Sequence, residues 1–149
     1  MPPAALEAGA LYIVLFARST PNDYHWALYH HFSPTRGAKF HIRNICDAWI
    51  EGHEDTSGIH KEFLLMGFNK IAQIPGGDNG TLRSLVASTP FDTPGVTCRT
   101  WVLDVIRACI KARLVRCLSL DQLEQETKAF GFAQFDDTAN NVQPRPVVK

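Results

Sequence analysis

Leu11-Tyr-Ile-Val-Leu-Phe16 is an uninterrupted apolar run, which is typical of a strand buried on both faces of a sheet. Turn-forming residues follow at 19–23, and an aromatic-rich segment at 24–32 predicts a second strand. A hairpin-type loop at 33–37 leads into a predicted third strand at 39–43. The N-terminal third of the chain therefore predicts three neighbouring strands.

Two more strands are predicted before the middle of the chain. Residues 48–51 predict a short fourth strand, and a polar loop follows at 52–58. Residues 62–74 form an apolar stretch long enough for a fifth strand, with Gly67 as a candidate bulge because glycine weakens regular pairing.

The second half of the chain changes to helical patterning. Residues 81–88 predict a short helix, and over residues 98–114 the apolar positions recur every three or four residues. These positions are Trp101, Val102, Val105, Ile106, Cys109 and Ile110. A Ser-x-x-Gln capping box at Ser119 opens a further helix to about residue 129. Strands followed by a buried helix predict an α+β domain, a mostly antiparallel sheet packed on a central helix.

The length of 149 residues corresponds to one domain. We predict this domain at residues 1–135. Residues 136–149 are polar, contain two prolines and show no periodic pattern, so they predict a flexible C-terminal tail.

The charge balance excludes a nucleic-acid binder that acts through bulk charge, because 15 basic residues cancel 15 acidic ones. The longest apolar run, at residues 10–17, is too short for a transmembrane helix. The N-terminal residues lack the basic region of a signal peptide, which predicts a cytoplasmic protein with reduced cysteines.

Cys98 stands at a helix start. The preceding residues 92–97 contain proline and glycine, the helical period begins at Cys98, and Thr97 is a suitable N-cap. A thiol in the first turn meets free N–H groups and the positive end of the helix dipole, which favour the thiolate. The same N–H groups can hold an oxyanion.

Two histidines fit beside this cysteine as base and orienting group. In an extended strand, His25 shares one face with Ala27 and Tyr29, and His41 occupies the next strand. If the loop at 33–37 closes a hairpin, the two histidines come close across the pair. A thiol nucleophile needs such a base, and the base needs a polar partner that orients it.

Tyr24-His-Trp-Ala-Leu-Tyr29, Lys39-Phe-His-Ile42 and Thr97-Cys-Arg-Thr-Trp-Val102 together resemble the motifs of the permuted papain-like superfamily. This group includes the lecithin retinol acyltransferase family, the NlpC-type peptidases and the desumoylating isopeptidases. The segments also resemble an uncharacterised fungal domain family with the same order of histidine, histidine and cysteine. The similarity covers about residues 11–118. It departs from the acyltransferases at Thr97, where asparagine is frequent, and at Arg99-Thr100, where they have Glu-His.

The resemblance implies a permuted papain-like fold and a small cysteine-dependent hydrolase or acyltransferase. In that assignment Cys98 is the nucleophile, His25 the general base and His41 the orienting residue. The substrate would be an unidentified amide, isopeptide, ester or thioester. The chemistry requires no cofactor and no metal.

Other interpretations remain open from the sequence. The chain could be a catalytically silent binding or protein-interaction domain on the same fold. It could instead assemble through the aromatic residues of its strands, whose simpler role is the sheet core. These residues are Tyr12, Phe16, Tyr24, Trp26, Tyr29 and Phe32. A zinc site drawn from Cys46, His53 and His60 matches no common ligand spacing.

Overall fold

The structure is a computed structural model that describes residues 5–19 and 23–148. Its strands are β1 (Ala10–Ala17), β2 (Tyr24–His30), β3 (Gly37–Phe40), β4 (Ile42–Ile45), β5 (Ala48–Glu51), β6 (Glu54–Thr56), β7 (Leu65–Gln73) and β8 (Val147–Val148). Its helices are α1 (Asn79–Ser88), α2 (Cys98–Lys111) and α3 (Leu120–Ala139).

Six strands form one sheet in the order β6-β3-β2-β1-β7-β8, and β4 and β5 form a separate hairpin. Every pair in the large sheet is antiparallel except β7 with β8. The predicted α+β class with a mostly antiparallel sheet is therefore confirmed. The apolar run of the sequence is β1, which lies between β2 and β7 and is buried along its whole length.

The two faces of the sheet carry different packing. One face buries alternate residues such as Leu15, Trp26 and Leu28 against the apolar stripe of α2. The other face buries Phe16, Tyr29 and their neighbours in a smaller cluster. Side chains alternate along a strand, so successive residues of β2 lie on the helix-covered face and on this second face in turn, as the sequence predicts.

The predicted third strand at 39–43 is divided in the structure. It ends as β3 at Phe40 and resumes as β4 at Ile42, which pairs with β5 instead of the large sheet. His41 lies at the break, where its N–H donates to His53 Nδ1 at 3.1 Å and its carbonyl accepts from Gly52 N–H at 2.9 Å. These bonds draw the backbone out of the sheet. The prediction of a plain loop at 52–58 is also wrong, since β6 lies within it.

The candidate bulge at Gly67 coincides with an irregularity in the structure. Leu15 lies opposite Gly67, whereas the next residue, Phe16, lies opposite Leu65, so the register shifts at this point. A Cβ at Gly67 would come within 2.6 Å of the Phe130 ring on α3. Glycine therefore permits both the irregular pairing and the close approach of the helix.

The C-terminal residues depart from the predicted tail. Helix α3 continues to Ala139 instead of ending near residue 129, and β8 pairs in parallel with Phe68 and Asn69 of β7. Arg145 is only 2% exposed and donates to the carbonyl of Met66 at 3.0 Å. Its other donors bond the Val142 carbonyl and Gln134 Oε1. The tail prediction is therefore corrected for residues 136–148, because partners distant in sequence satisfy this polar segment; Lys149 lies outside the described residues.

Helix α3 is the longest helix of the described ranges and begins at the predicted cap, where Ser119 Oγ accepts from Gln122 N–H. Gly131 in its middle packs on Tyr24, since a Cβ there would approach the ring to 2.7 Å. Within residues 5–19 and 23–148, no helix combines the length and the apolarity that crossing a bilayer requires.

The strand aromatics belong to the interior. Five of them are less than 9% exposed and Phe32 is half-buried. The buried five are Tyr12, Phe16, Tyr24, Trp26 and Tyr29. These rings contact one another and their neighbours, as in the edge-on pair of Tyr12 and Phe68. They are therefore core residues, and their side chains are not available for assembly between chains.

Candidate active site at the start of helix α2

Cys98 is the first residue of α2, and Thr97 caps the helix as the sequence predicts. Thr97 Oγ1 accepts from Thr100 N–H at 3.2 Å, and the Thr100 hydroxyl accepts from Thr97 N–H at 2.8 Å. The first backbone bond of the helix runs from Trp101 N–H to the Thr97 carbonyl at 2.9 Å. The N–H groups of Cys98 and Arg99 precede that bond, so they are the donors that a helix start presents to an anion.

The Cys98 side chain faces a cavity of about 320 Å³. The cavity walls are Thr97 and Arg99 from the start of α2, Tyr24 and Trp26 from β2, Lys128 from α3, and the pair Arg18 and Asp23. Cys98 is only 3% exposed. A reagent or substrate must therefore enter this cavity to reach the sulfur.

His25 and His41 lie together on the second face of the sheet. His25 Nε2 is 2.7 Å from His41 Nδ1, and the two rings meet edge to face with centroids 5.0 Å apart. His25 lies on β2 opposite Phe16, which places it on the face away from α2. The juxtaposition that strand alternation and a hairpin predict is thus present, even though His41 has left the regular strand.

The hydrogen bonds of His25 assign its ring proton to Nε2. Arg18 Nη2 lies 3.3 Å from His25 Nδ1 and can only donate, so this nitrogen accepts. His25 Nε2–H therefore donates to His41 Nδ1. His25 Nδ1 then carries a lone pair, as a general base requires.

Burial keeps both rings neutral. Burial lowers the pKa of His25 well below its usual value, and the neighbouring His41 ring and the charges of Arg18 and Lys39 lower it further. Burial also lowers the pKa of His41, and Lys39 adds to the effect, although the hydrogen bond to Gly52 opposes it. His25 is therefore an unprotonated imidazole at neutral pH.

Arg18 links the cysteine to this histidine pair. Its Nη2 lies 3.3 Å from His25 Nδ1 and 3.6 Å from Cys98 Sγ, while its Nη1 bonds Asp23 at 3.2 Å. The same guanidinium nitrogen therefore contacts both the sulfur and the imidazole. The N–H that meets His25 Nδ1 agrees with a lone pair on that atom.

His53 connects the site to the core. Its Nδ1 accepts from His41 N–H, its Nε2 lies 3.2 Å from Glu51 Oε2, and its ring stacks on Trp101 of α2 at 5.5 Å. Through these contacts, His53 holds the backbone of His41 in place. Burial lowers the pKa of His53, whereas Glu51 raises it.

Sequence reasoning overlooked Arg18, and it considered His53 only as a zinc ligand. Arg18 lies beside His25 because it directly follows Ala17, which pairs with Tyr24, the residue before His25. This register is visible only in the structure. No sequence signal marks the contacts of Gly52 and His53, which depend on the position of the hairpin.

The remaining candidate residues lie elsewhere. Cys46 is exposed in the turn between β4 and β5, where its φ is +52°. Cys109 is fully buried in the core, and burial raises the pKa of its thiol to about 11. His60 contacts Phe68 on the second face, whereas His53 contacts Trp101 on the helix-covered side. In the described part of the chain, no three potential ligands come together for a metal.

The chain matches no family model, no curated protein and no solved structure. The papain-like resemblance therefore rests on the three sequence segments that carry it. The structure establishes the coarser α+β class.

Proposed function

We propose that the protein is a small thiol hydrolase or acyltransferase whose nucleophile is Cys98. One observation carries the proposal: a cysteine at a capped helix start faces a cavity, and one guanidinium nitrogen joins it to a neutral histidine that a second histidine orients. The substrate is an amide, isopeptide, ester or thioester. This is the chemistry that a thiol, a base and free N–H groups together support.

Acylation of the enzyme begins when Cys98 Sγ attacks the acyl carbonyl and its proton passes to His25 Nδ1. A bond forms between sulfur and the carbonyl carbon, and the N–H groups of Cys98 and Arg99 stabilise the oxyanion. The bond to the leaving group then breaks, and His25 returns its proton to that group. The products of this half-reaction are a thioester on Cys98 and a free amine, alcohol or thiol.

Deacylation reverses these roles. His25 removes a proton from water or from an acceptor amine, which attacks the thioester carbonyl. The carbon–sulfur bond breaks, and the proton returns to Cys98. Water as the acceptor gives a hydrolase, and an amine or alcohol gives an acyltransferase.

Arg18 has to leave the space between Sγ and Nδ1 before the proton can move directly. Its side chain is 39% exposed and is held by the ion pair to Asp23 and by the contacts with His25 and Cys98, so a rotation breaks polar contacts but disrupts no core packing. His25 and His41 remain linked during this movement, because their bond does not involve Arg18.

The alternative is a catalytically silent binding domain, and the position of Arg18 is the observation that favours it. A guanidinium that stays between sulfur and imidazole prevents proton transfer, and the cavity then serves only to bind a ligand. In that case, the reactivity of Cys98 does not depend on His25.

Iodoacetamide alkylation of the intact protein at pH 7, followed by peptide mass spectrometry, tests the proposal. We expect Cys98 to react at least about tenfold faster than the exposed Cys46, because its sulfur lies at a capped helix start and 3.6 Å from Arg18 Nη2. Cys109 provides the buried reference and should react slowest, since burial holds the pKa of its thiol near 11. Slower reaction at Cys98 than at Cys46 would refute the nucleophile assignment.

A further inference from the structure

Positive charges outnumber negative charges around the Cys98 cavity. Arg18 pairs with Asp23 at 3.2 Å, so these two charges compensate each other. Two further lining residues, Arg99 and Lys128, share a single carboxylate, that of Glu124. This second group, which we call the Glu124 cluster, carries one positive charge in excess.

The excess charge persists through the proposed reaction. Transfer of the Cys98 proton to His25 turns a neutral pair into an ion pair of zero net charge. The net charge around the Glu124 cluster therefore does not change during the reaction. The helix start adds a partial positive charge at the same end of α2. A substrate with one negative charge would therefore neutralise the excess positive charge of the Glu124 cluster.

We infer that the substrate carries a single carboxylate, bound by Arg99 and Lys128 while its acyl carbon faces Cys98. This inference rests on the proposed function. Both cations line the cavity together with the sulfur, and both are about two-fifths exposed at most, so their charged groups can reach a ligand there. A carboxylate matches the single excess charge, whereas a doubly charged phosphate monoester exceeds it.

Two alkylating reagents of nearly equal size make the test. Iodoacetate carries a carboxylate where iodoacetamide carries a neutral amide, and both attack the same thiolate. The ratio of their rates at Cys98 therefore cancels any change in thiolate fraction and reports the preference for a carboxylate. Cys46 of the same protein, exposed in a hairpin turn, provides the reference ratio.

We expect the iodoacetate-to-iodoacetamide ratio at Cys98 to exceed the Cys46 ratio by about tenfold, as charge-assisted hydrogen bonds allow. Lys128→Gln should lower the Cys98 ratio several-fold because it removes the excess charge, and Glu124→Gln should raise it. Lys111→Gln is the matched control, since it makes the same change in net charge at the exposed far end of α2. Its ratio should equal that of the wild type.

The outcomes separate this inference from the proposed function. If Cys98 reacts selectively but its ratio equals that of Cys46, or does not change in Lys128→Gln and Glu124→Gln, the carboxylate inference fails and the thiol enzyme stands. If Cys98 reacts with neither reagent, both fail. A lower ratio in Lys111→Gln as well would show a general effect of charge and would also overturn the inference.

Discussion

Replacing His25 with alanine is expected to slow the release of p-nitrophenol from p-nitrophenyl acetate by about 100-fold or more. The variant removes the proton acceptor, and a positioned general base contributes about 10²–10⁴ in rate. The measurement is the initial rate at pH 7 with wild type and variant at equal concentration. Thermal unfolding by circular dichroism checks that the variant is folded.

Two further variants show whether this effect belongs to the hydrogen-bond chain. Gly52→Ala should lower the rate partially, because the new Cβ would come within 2.8 Å of His41 Nε2 and displace that ring. His31→Ala is the matched control, since it removes another buried histidine, one residue past the end of the same strand. The His31 ring bonds the Tyr29 hydroxyl and the Pro34 carbonyl and does not contact the site. Equal losses in His25→Ala and His31→Ala would indicate general damage and argue against a base.

Trp101→Ala is expected to lower the free energy of unfolding by about 3–5 kcal/mol, the range for removal of a buried aromatic side chain. Trp101 is fully buried, and its indole N–H donates to the Thr89 carbonyl at 3.4 Å. Its ring also supports His53, which holds the backbone of His41. The substitution should therefore disturb the position of His41 in the site as well as the packing of the core.

Denaturant unfolding measures this change, with Trp49→Ala as the control. Trp49 lies on β5 and is only half-buried, so its removal should cost less than half as much. Trp101→Phe keeps most of the core volume and should show a smaller loss than the alanine variant. If Trp101→Ala costs no more than Trp49→Ala, the packing of α2 on the sheet is not the main source of stability.

Local patterns in the sequence predict the centre of the fold well. The apolar run of β1 and the helical period of α2 both reflect burial, and burial is what these patterns report. Thr97 caps its helix because the capping bond needs only residues three positions apart. Strand alternation predicts the meeting of His25 and His41, since both strands extend from one short loop.

The missed features depend on contacts distant in sequence. The chain leaves the sheet at His41 because Gly52 and His53 take over its backbone bonds. Residues 136–148 have the composition of a tail, yet Arg145 bonds a carbonyl on β7, 79 positions away. Arg18 contacts Cys98 across 80 positions. No local pattern carries such information.

The central claim is that Cys98 forms an acyl-enzyme with the help of His25. The direct measurement is mass spectrometry of the protein quenched in acid shortly after mixing with p-nitrophenyl acetate, with the modified residue located by peptide sequencing. We predict one acetyl group on Cys98 that forms within the first turnover, disappears as the ester is consumed and is nearly absent in His25→Ala. Acetylation spread over lysines and other cysteines, or an acetyl group on Cys98 that forms equally fast in His25→Ala, would contradict the account.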